Sequence, residues 1–467
     1  MSLSQEILFG TYNGVAKLLQ EGSDVNEKDI YGLTPLIEAT LKKDLHIARL
    51  LLEHGAKIDQ QDISGQTALQ WSINRRERNL SELYLEYKAN PNHYSADGQP
   101  MLVNPLLRGE TELIKLLTSH GADLNFALDF INAKLIGHRY ELVGKARILT
   151  PNGYFIDLSY EGFYLEFTVG IILKTLLSFM ASSAGGYFKA YTAVLTKIAK
   201  ALKNSAEIVP YKYATEIPAE QDAHIRHILS QELVVIPVSY EGHAITFIKY
   251  KNLFAKCDRG VKHIVDTVVI SEVGNMTAFN PDFLKDLMYN NKNDEYINTE
   301  IKNILNLKPF TTLPARYQLS GNCSWANVEA SVPAMMFMLM FRGNFDARGE
   351  IAALKKSIMN FYDTWVEWDK DRVLDECIAS FYQSNQEKRA GKTSILAAIL
   401  FQRCRPSQKR EVERAKKILQ ILTLPSYNYI LKTYIKVYYT RMAGRLGEDF
   451  IELLKISGLD LTTLTLR

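Results

Sequence analysis

The chain has 467 residues, which is too long for one hydrophobic core and suggests two to four domains. Its hydrophobic content of 47% is ordinary for a globular protein, and a net charge of +3 gives no general argument for nucleic acid or a membrane as partner. The sequence does not open with a basic segment and an apolar run, so no secretory signal is expected. The apolar windows 167–180 and 332–341 are shorter than the roughly 20 residues that cross a bilayer, which predicts buried helices and no membrane span. Cysteines 257, 323, 377 and 404 have no paired spacing, which predicts free thiols in a reducing compartment.

The first 125 residues repeat with a period of 33. The segment 22–26, Gly-Ser-Asp-Val-Asn, returns as 55–59, then in degraded form as 88–92, and again as 121–125. Thr34-Pro35-Leu36 and Thr67-Ala68-Leu69 stand where ankyrin repeats have their Thr-Pro-Leu turn. The pattern is identified as four ankyrin repeats over residues 1–127. They form an α-solenoid in which each helix pair buries its apolar face against its neighbours.

Ankyrin stacks bind proteins, so this part of the chain is expected to hold a partner protein. The partner surface is predicted at the turn tips and on the concave helix face. The tip residues are Asp29, Tyr31, Asp62, Ser64, Tyr94 and Asp97. The third repeat departs from the pattern at Tyr84, Tyr87, Lys88 and Pro91, which leaves open either decay or a specialised contact.

Two asparagines follow a pattern that resembles the ankyrin sites of asparaginyl hydroxylases. Asn26 lies in Asp-Val-Asn downstream of Leu18, and Asn125 lies in a weaker version of the pattern downstream of Leu117. The resemblance implies hydroxylation at Asn26 and Asn125. The alternative is that these side chains only hold the turn.

An α+β domain is predicted over residues 128–343, where the 33-residue period disappears. Pro151-Asn152-Gly153 between two β-rich runs predicts a hairpin. Helical stretches are predicted at 164–182 and 187–204, followed by β-rich runs at 232–239, 243–250 and 263–270. A helical pattern resumes after residue 280.

Strand parity brings His243 close to Asp258 in the predicted sheet. If Lys251 and Asn252 form a turn, residue 250 pairs with 253 and 245 with 258, which makes His243 and Asp258 diagonal neighbours on one face. A carboxylate at that place holds the tautomer of the imidazole and stabilises its cation. A loop one residue longer would put the two side chains on opposite faces.

Cys323 is the candidate nucleophile. Gly321-Asn322 predicts a tight turn, and the run 324–340 has the helical spacing of apolar residues, with a kink allowed at Pro333. A thiol at a helix N-terminus feels the positive end of the helix dipole, which favours the thiolate. Gln318 can donate its amide N–H to a developing oxyanion, together with the backbone N–H of Cys323.

The candidate site residues are therefore His243, Asp258, Gln318 and Cys323. Their chain order resembles that of cysteine peptidases of the ubiquitin-like-protein protease and adenoviral protease type, and acyltransferases of the YopJ type share the His, acid, Cys order. The Cys-Ser-Trp sequence is also similar to papain-like enzymes, whose chain order is reversed. The resemblance implies a cysteine-protease-like domain that uses these four side chains. The alternative is a buried Cys323 and a His243 with a structural hydrogen bond.

Residues 344–467 are predicted to be all-α. The stretch 388–417 is basic, which admits two interpretations: a surface for nucleic acid or an acidic partner, or a solvated helix face. Ala390-Gly391-Lys392-Thr393 lacks the first glycine of a phosphate loop, and His224 and His227 have no third ligand at metal spacing. No cofactor and no metal are expected.

The arrangement of ankyrin repeats, a cysteine-protease-like domain and a helical region resembles effectors that intracellular bacteria inject into host cells. This resemblance implies type IV secretion, action in the host cytosol or nucleus, and a host protein bound to the repeats. Two functions follow: a peptidase, isopeptidase or acyltransferase that attacks a carbonyl through Cys323, or a non-catalytic scaffold that remodels a host complex.

Overall fold

Four antiparallel helix pairs stack side by side at the N-terminal end. The structure is a computed structural model that describes residues 2–213, 217–260, 267–319, 321–342, 348–441 and 445–459. The paired helices are α1 (Leu3–Phe9), α2 (Tyr12–Gln20), α3 (Pro35–Lys42), α4 (Leu45–Glu53), α5 (Ala68–Asn74), α6 (Arg78–Glu86), α7 (Val103–Arg108) and α8 (Thr111–Ser119). The predicted ankyrin solenoid is confirmed.

The Thr-Pro-Leu signature caps the first helix of a pair. The Thr34 hydroxyl accepts a hydrogen bond from the backbone N–H of Ile37 at 3.2 Å, and the Thr67 hydroxyl accepts one from Gln70 at 3.3 Å. Each bond satisfies an N–H group that the helix itself leaves unpaired. The repeating threonines therefore mark where α3 and α5 begin.

The second helix of each pair is followed by a residue with a left-handed backbone conformation. Gly22, Gly55 and Gly121 have φ of 91°, 86° and 92°, and Lys88 takes the same place in the third repeat with φ of 64°. A side chain in this region clashes with its own backbone, so the lysine is tolerated at a conformational cost. The degraded third repeat thus keeps the geometry of the others.

Tyr84 in the third repeat makes a contact inside the stack. The side chain is buried, and its hydroxyl lies 2.6 Å from the Thr40 hydroxyl of the second repeat. The loop that follows it meets the next part of the chain, where a Cβ on Gly98 would lie 3.2 Å from Ile156. The unusual residue Tyr84 therefore makes a specific contact.

A long helix leads out of the stack into a small hairpin. Helix α9 (Leu124–Arg139) starts in the fourth repeat loop, and strands β1 (Lys145–Leu149) and β2 (Phe155–Ser159) pair antiparallel after it. The hairpin predicted at residues 151–153 is confirmed.

The middle of the chain contains a five-stranded antiparallel sheet in the order β3-β4-β5-β6-β7. Its elements are helices α10 (Leu165–Ala181), α11 (Thr192–Ile208), α12 (Ala219–Ser230), α13 (Pro281–Tyr289) and α14 (Ile301–Ile304), and strands β3 (Leu233–Tyr240), β4 (His243–Tyr250), β5 (Leu253–Cys257), β6 (Val268–Val273) and β7 (Leu307–Leu313). Short 3₁₀ and π turns occur at Gly185–Tyr191, Val209–Tyr213 and Tyr296–Glu300. The predicted α+β arrangement is confirmed.

Strand β7 was not expected, because the pattern after residue 280 was interpreted as helical. Pro309 lies in this strand, and a proline fits a sheet only where no ladder hydrogen bond is needed from its nitrogen. β7 is the edge of the sheet, and its pairing with β6 is irregular near Ile270. The helical prediction is therefore wrong for Leu307–Leu313, whereas α13 and α14 agree with it. The predicted β run 263–270 falls partly on residues 261–266, which lie outside the described residues.

After the sheet, the regular elements in the described part of the chain are helices. They are α15 (Cys323–Met340), α16 (Arg348–Gln383), α17 (Gln386–Arg403), α18 (Lys409–Leu422), α19 (Asn428–Arg441) and α20 (Arg445–Ile456). α16 packs its first half, through Phe361 and Trp365, into the core around the sheet, and its second half, through Leu374 and Phe381, into the core shared by the repeats, the β1–β2 hairpin and α17–α20. Apolar packing therefore crosses the predicted domain limits at 127 and 343, which remain predictions.

Among the described helices, none by itself has the length and apolarity of a membrane span. One pair bent by 100°, Leu165–Ala181 with Gly185–Lys212, meets these criteria when its two helices are taken together.

Candidate functional site

The β4–β5 hairpin brings His243 and Asp258 into contact. Tyr250 stands opposite Leu253, as the predicted turn at Lys251 requires. His243 Nε2 lies 3.0 Å from Asp258 Oδ1. The two side chains therefore lie within reach of each other, as strand parity predicted.

Asp258 lies in surroundings that keep it ionised. Burial alone would raise its pKa, but the hydrogen bond with His243 and the charge of Lys256 at 3.4 Å lower the pKa below the ordinary value. The backbone N–H of Gly260 also donates to Oδ1 at 3.2 Å. A carboxylate held this way orients the imidazole and stabilises its protonated form.

The imidazole of His243 also contacts the thiol of Cys323. Its hydrogen bond with Asp258, and then that with Cys323, raise the pKa of His243 to about 9. Because Nε2 is bonded to Asp258, Nδ1 is the ring nitrogen left for the thiol. The Tyr240 ring packs edge-on against the imidazole at 5.6 Å between centroids and restricts its rotation.

Cys323 is the first residue of α15, where its sulfur meets hydrogen-bond donors. Burial raises its pKa, but the hydrogen bond with His243 and the backbone N–H groups of Ala244 and Ser324 lower it, and the net direction is downward. The net shift has the opposite direction at Cys377 and Cys404, where burial prevails and raises the pKa of each thiol to about 12. Cys323 therefore differs from both in favouring the thiolate.

The turn before Cys323 is anchored to the end of α9. Asn322 Nδ2 donates to the backbone carbonyl of His138 at 3.0 Å, and the N–H of Gly162 donates to the carbonyl of Gly321 at 3.2 Å. The ring of Trp325 stacks on His138 with centroids 6.0 Å apart. Burial lowers the pKa of His138 to about 4, so this second imidazole is neutral and packs as a flat ring.

Asn327, one helical turn after Cys323, holds α15 against the hairpin. Its Oδ1 accepts from the N–H of Arg259 at 2.7 Å, and its Nδ2 donates to the carbonyl of Ala244 at 2.6 Å. These backbone groups adjoin Asp258 and His243 respectively, and the Asn327 side chain is fully buried. Its position four residues after Cys323 is the one signal of this role in the sequence, and Asn327 was not among the predicted site residues.

Gln318 lies next to the imidazole and Gly260. Its backbone N–H donates to the carbonyl of Arg259 at 3.0 Å. A Cβ built on Gly260 would lie 3.1 Å from Gln318 Nε2 and only 2.5 Å from His243 Cε1. Gly260 is therefore required for the ring and the amide to share this space, a need that the sequence did not reveal.

A buried ionic network ties the site to neighbouring helices. The Arg139 guanidinium contacts Glu329 of α15 and lies 2.5 Å from Asp369 of α16. Arg259 lies 3.4 Å from Glu329, and the Tyr362 hydroxyl donates to the same carboxylate at 2.9 Å. Because an unpaired charge is costly inside a protein, these partners fix the helix that carries Cys323 relative to α9 and α16.

Comparison with known proteins identifies the family. The ankyrin-repeat family model matches three copies over residues 3–95. Comparison with curated proteins finds no match. Among solved structures, the Legionella effector AnkH is 36% identical, covers 98% of this chain and 98% of its own, and superposes with a TM-score of 0.82. The chain belongs to the AnkH family. The likeness of its middle domain to cysteine peptidases remains a prediction.

The tips of the repeat loops in this AnkH-family chain divide into structural and exposed residues. Asp29 accepts from the N–H groups of Tyr31 and Leu33, and Asp62, 8% exposed, binds its own loop and the indole of Trp71. These two carboxylates hold the loops. Tyr31 is 59% exposed and available to a partner.

The remaining predicted tip residues lie in the second and third loops. Ser64 and Asp97 are exposed, whereas Tyr94 is half-buried with its ring 5.9 Å from Phe126. Two apolar side chains complete the outer surface of the tips, Ile30 at 88% and Ile63 at 73% exposure. A role of the predicted tip residues in partner binding stays a prediction.

The two asparagines predicted as hydroxylation sites have different surroundings. Asn26 Nδ2 donates to Gly55 at 3.3 Å and its Oδ1 accepts from Lys57 at 2.7 Å, so it joins two repeat loops. Asn125 lies in the first turn of α9, where it is exposed. Hydroxylation at either position stays a prediction.

The basic stretch 388–417 is largely paired within the AnkH-family fold. Arg414 contacts Glu367 at 2.8 Å and Asp371 at 2.6 Å, and Lys417 contacts Asp375 at 2.6 Å. This pairing between α18 and α16 gives the charges an internal function, which leaves nucleic acid as a partner without support. Among the described residues, no group of three or more His, Cys, Asp or Glu side chains is arranged to hold a metal ion.

Proposed function

We propose that this AnkH-family protein is an effector translocated into a host cell, where its ankyrin repeats bind a host protein and Cys323 attacks a carbonyl group. The first part rests on the repeats and on the similarity to a solved Legionella effector. The second rests on one observation: the His243 imidazole lies 3.0 Å from Asp258, and its interaction with the Cys323 thiol at the start of α15 raises the pKa of the ring and lowers that of the thiol.

The proposed reaction starts from a thiolate and an imidazolium. Cys323 Sγ attacks the carbonyl carbon, and the oxygen that becomes negative is stabilised by Gln318 Nε2 and the backbone N–H of Cys323. His243 gives its proton to the leaving amine as the carbon–nitrogen bond breaks, which leaves an acyl thioester on Cys323. Asp258 keeps the ring oriented through both proton transfers.

The second half of the proposed reaction releases the acyl group. His243, now neutral, takes a proton from water or from an acceptor amine as its oxygen or nitrogen attacks the thioester. The carbon–sulfur bond breaks and the Cys323 thiolate returns beside the imidazolium. Peptide hydrolysis, isopeptide hydrolysis and acyl transfer share these steps and differ in the acceptor.

Covalent labelling tests the proposed chemistry. A peptide or ubiquitin carrying a thiol-reactive electrophile at its C-terminus is incubated with the full chain, with Cys323→Ala and with Cys377→Ala. We expect one label per chain in the parent and in Cys377→Ala, and none in Cys323→Ala. Equal labelling of all three proteins, or labelling that disappears only in Cys377→Ala, would contradict the proposed nucleophile.

The alternative function is a binding platform without catalysis, which the exposed apolar side chains Ile30 and Ile63 favour. The double variant Ile30→Asp, Ile63→Asp is expected to lose the host protein that the parent chain captures, while Cys323 labelling is unchanged. Capture without any labelling in the parent chain would favour the platform alone.

A further inference from the structure

A cavity of about 610 Å³ lies where the repeat stack, the middle domain and the C-terminal helices meet. Its walls come from α7, α9, β1, α10, α15, α16 and α17. Its size falls in the range of small-molecule sites, roughly 300–1,000 Å³. It is distinct from the hydrogen-bonded set around Cys323: His243, Asp258, Gln318 and Cys323 are not among its lining residues, and of the neighbouring side chains discussed above Trp325, Arg139 and Asp369 reach its wall.

Aliphatic side chains are the largest class of residue on the cavity wall. Representative lining residues are Leu107, Leu128, Ile131, Ile136, Val373 and Ile395. Trp325 is the aromatic lining residue in the described part of the chain. Its ring already has two neighbours, since His138 stacks at 6.0 Å between centroids and the Arg139 guanidinium lies 4.9 Å from the ring centroid. The aliphatic side chains of the wall suit a flexible hydrocarbon chain.

The charges on the wall leave an excess of cations. Lys392 is paired with Asp129 at 2.6 Å, and Arg372 with Asp369 and Glu376, each at 2.7 Å.

Lys174 of α10 and Lys388 of α17 also line the cavity, and within the described residues neither ammonium has an ion pair. Lys174 is exposed, as is Ser178 one turn further along α10, so this side of the cavity faces solvent. Cations without partners beside an aliphatic wall match a ligand that has an anionic head and an apolar tail.

We propose that this cavity binds a single-chain amphiphilic anion, with its alkyl tail against α9 and α16 and its head group between Lys174 and Lys388. A free fatty acid and a phosphate-headed single-chain lipid share this chemistry. Because the ligand would contact all three regions of the chain, its binding stabilises their arrangement against unfolding.

Calorimetric titration of the delipidated full chain tests the proposal with three probes of equal chain length: dodecanoate and dodecyl phosphate below their micelle concentrations, and dodecanol below its solubility limit. We expect saturable binding of at least one anion and weaker binding of the alcohol. Preference for dodecanoate points to a fatty acid and preference for dodecyl phosphate to a phosphate-headed lipid, and both support the site. Equal affinity for all three probes, or no saturable binding, would overturn the proposal.

Two variants locate the binding. Lys174→Ala with Lys388→Ala should weaken the preferred anion by about tenfold and leave dodecanol unaffected, because charged hydrogen bonds carry the difference. Leu128→Trp adds bulk to the cavity wall and should abolish binding, whereas Leu177→Trp should not, because Leu177 is exposed like Leu128 but lies outside the lining. Binding that survives Leu128→Trp, or that Leu177→Trp removes equally, would place the ligand elsewhere.

Discussion

An asparagine side chain performs the same task in the repeat stack and beside the candidate site. Asn26 joins its loop to backbone groups 29 and 31 residues away, in the next repeat. Asn327 joins α15 to backbone groups 83 and 68 residues away, on β4 and after β5. Both amides donate to a carbonyl and accept from an N–H group.

The two bridges differ in how they can be recognised. The contacts of Asn26 connect neighbouring repeats, so a 33-residue period in the sequence already indicates which segments meet. The contacts of Asn327 depend on a sheet register and a helix position that are known only once the fold is known. The stack is therefore a local structure, whereas the site is assembled from distant segments, and substitutions should separate the two.

The largest effect is expected from removal of the imidazole. His243→Ala should lower the rate of Cys323 labelling by about 10³-fold, since general acid–base groups contribute roughly 10²–10⁴ in rate. The thermal transition of the protein should change little. Labelling kinetics with the carbonyl electrophile check this, with Asn26→Ala as a control in the stack. An unchanged rate would mean that the ring does not act on the thiol.

A methyl group on Gly260 should have the next largest effect. Gly260→Ala places a Cβ 2.5 Å from His243 Cε1, so the ring must move, and a displacement of about 1 Å costs roughly 10² in rate. Gly186→Ala is the matched control, because its Cβ would meet nothing within 4 Å. Equal labelling rates in the two variants would mean that the added methyl group does not displace the His243 ring.

Loss of the carboxylate should shift the pH dependence. The hydrogen bond with Asp258 is the main cause that raises the pKa of His243 to about 9, so the imidazolium persists below that value and is lost as the pH rises through it. In Asp258→Asn the alkaline limb of the labelling rate should move to lower pH, toward the ordinary histidine value. Asp157→Asn, at an exposed ion pair with Arg147, should leave the limb in place.

The bridging asparagines should differ in their effect on stability. Asn327→Ala leaves two buried backbone groups without their hydrogen-bond partner. It is expected to lower the unfolding free energy by about 3 kcal/mol and to abolish labelling. Asn26→Ala, at a half-exposed site that water can reach, should cost about 1 kcal/mol and leave labelling intact. Denaturant unfolding measures both. Equal losses of unfolding free energy in the two variants, or a loss of labelling in Asn26→Ala, would contradict the claim that the repeat stack and the candidate site respond separately to substitution.

The sequence predicted what depends on short-range rules. The period of 33 located the repeats, and the parity of one hairpin predicted that His243 meets Asp258. The thiol at a helix start was also predictable, because Gly321-Asn322 precedes an apolar helical pattern.

What the sequence did not reveal depends on distant contacts. The bridge of Asn327, the space that Gly260 leaves and the edge strand with Pro309 all require knowledge of the sheet order. The internal pairing of Arg414 was hidden for the same reason, since its acidic partners lie on another helix.

Direct titration of the Cys323 thiol tests the central claim. Thiolate absorbance is followed against pH in the full chain, and the trace of Cys323→Ala is subtracted so that the other three cysteines cancel. The structure predicts a pKa below the ordinary value of 9.0, because His243 and two backbone N–H groups face the sulfur. A pKa at or above that value would contradict the thiolate–imidazolium pair.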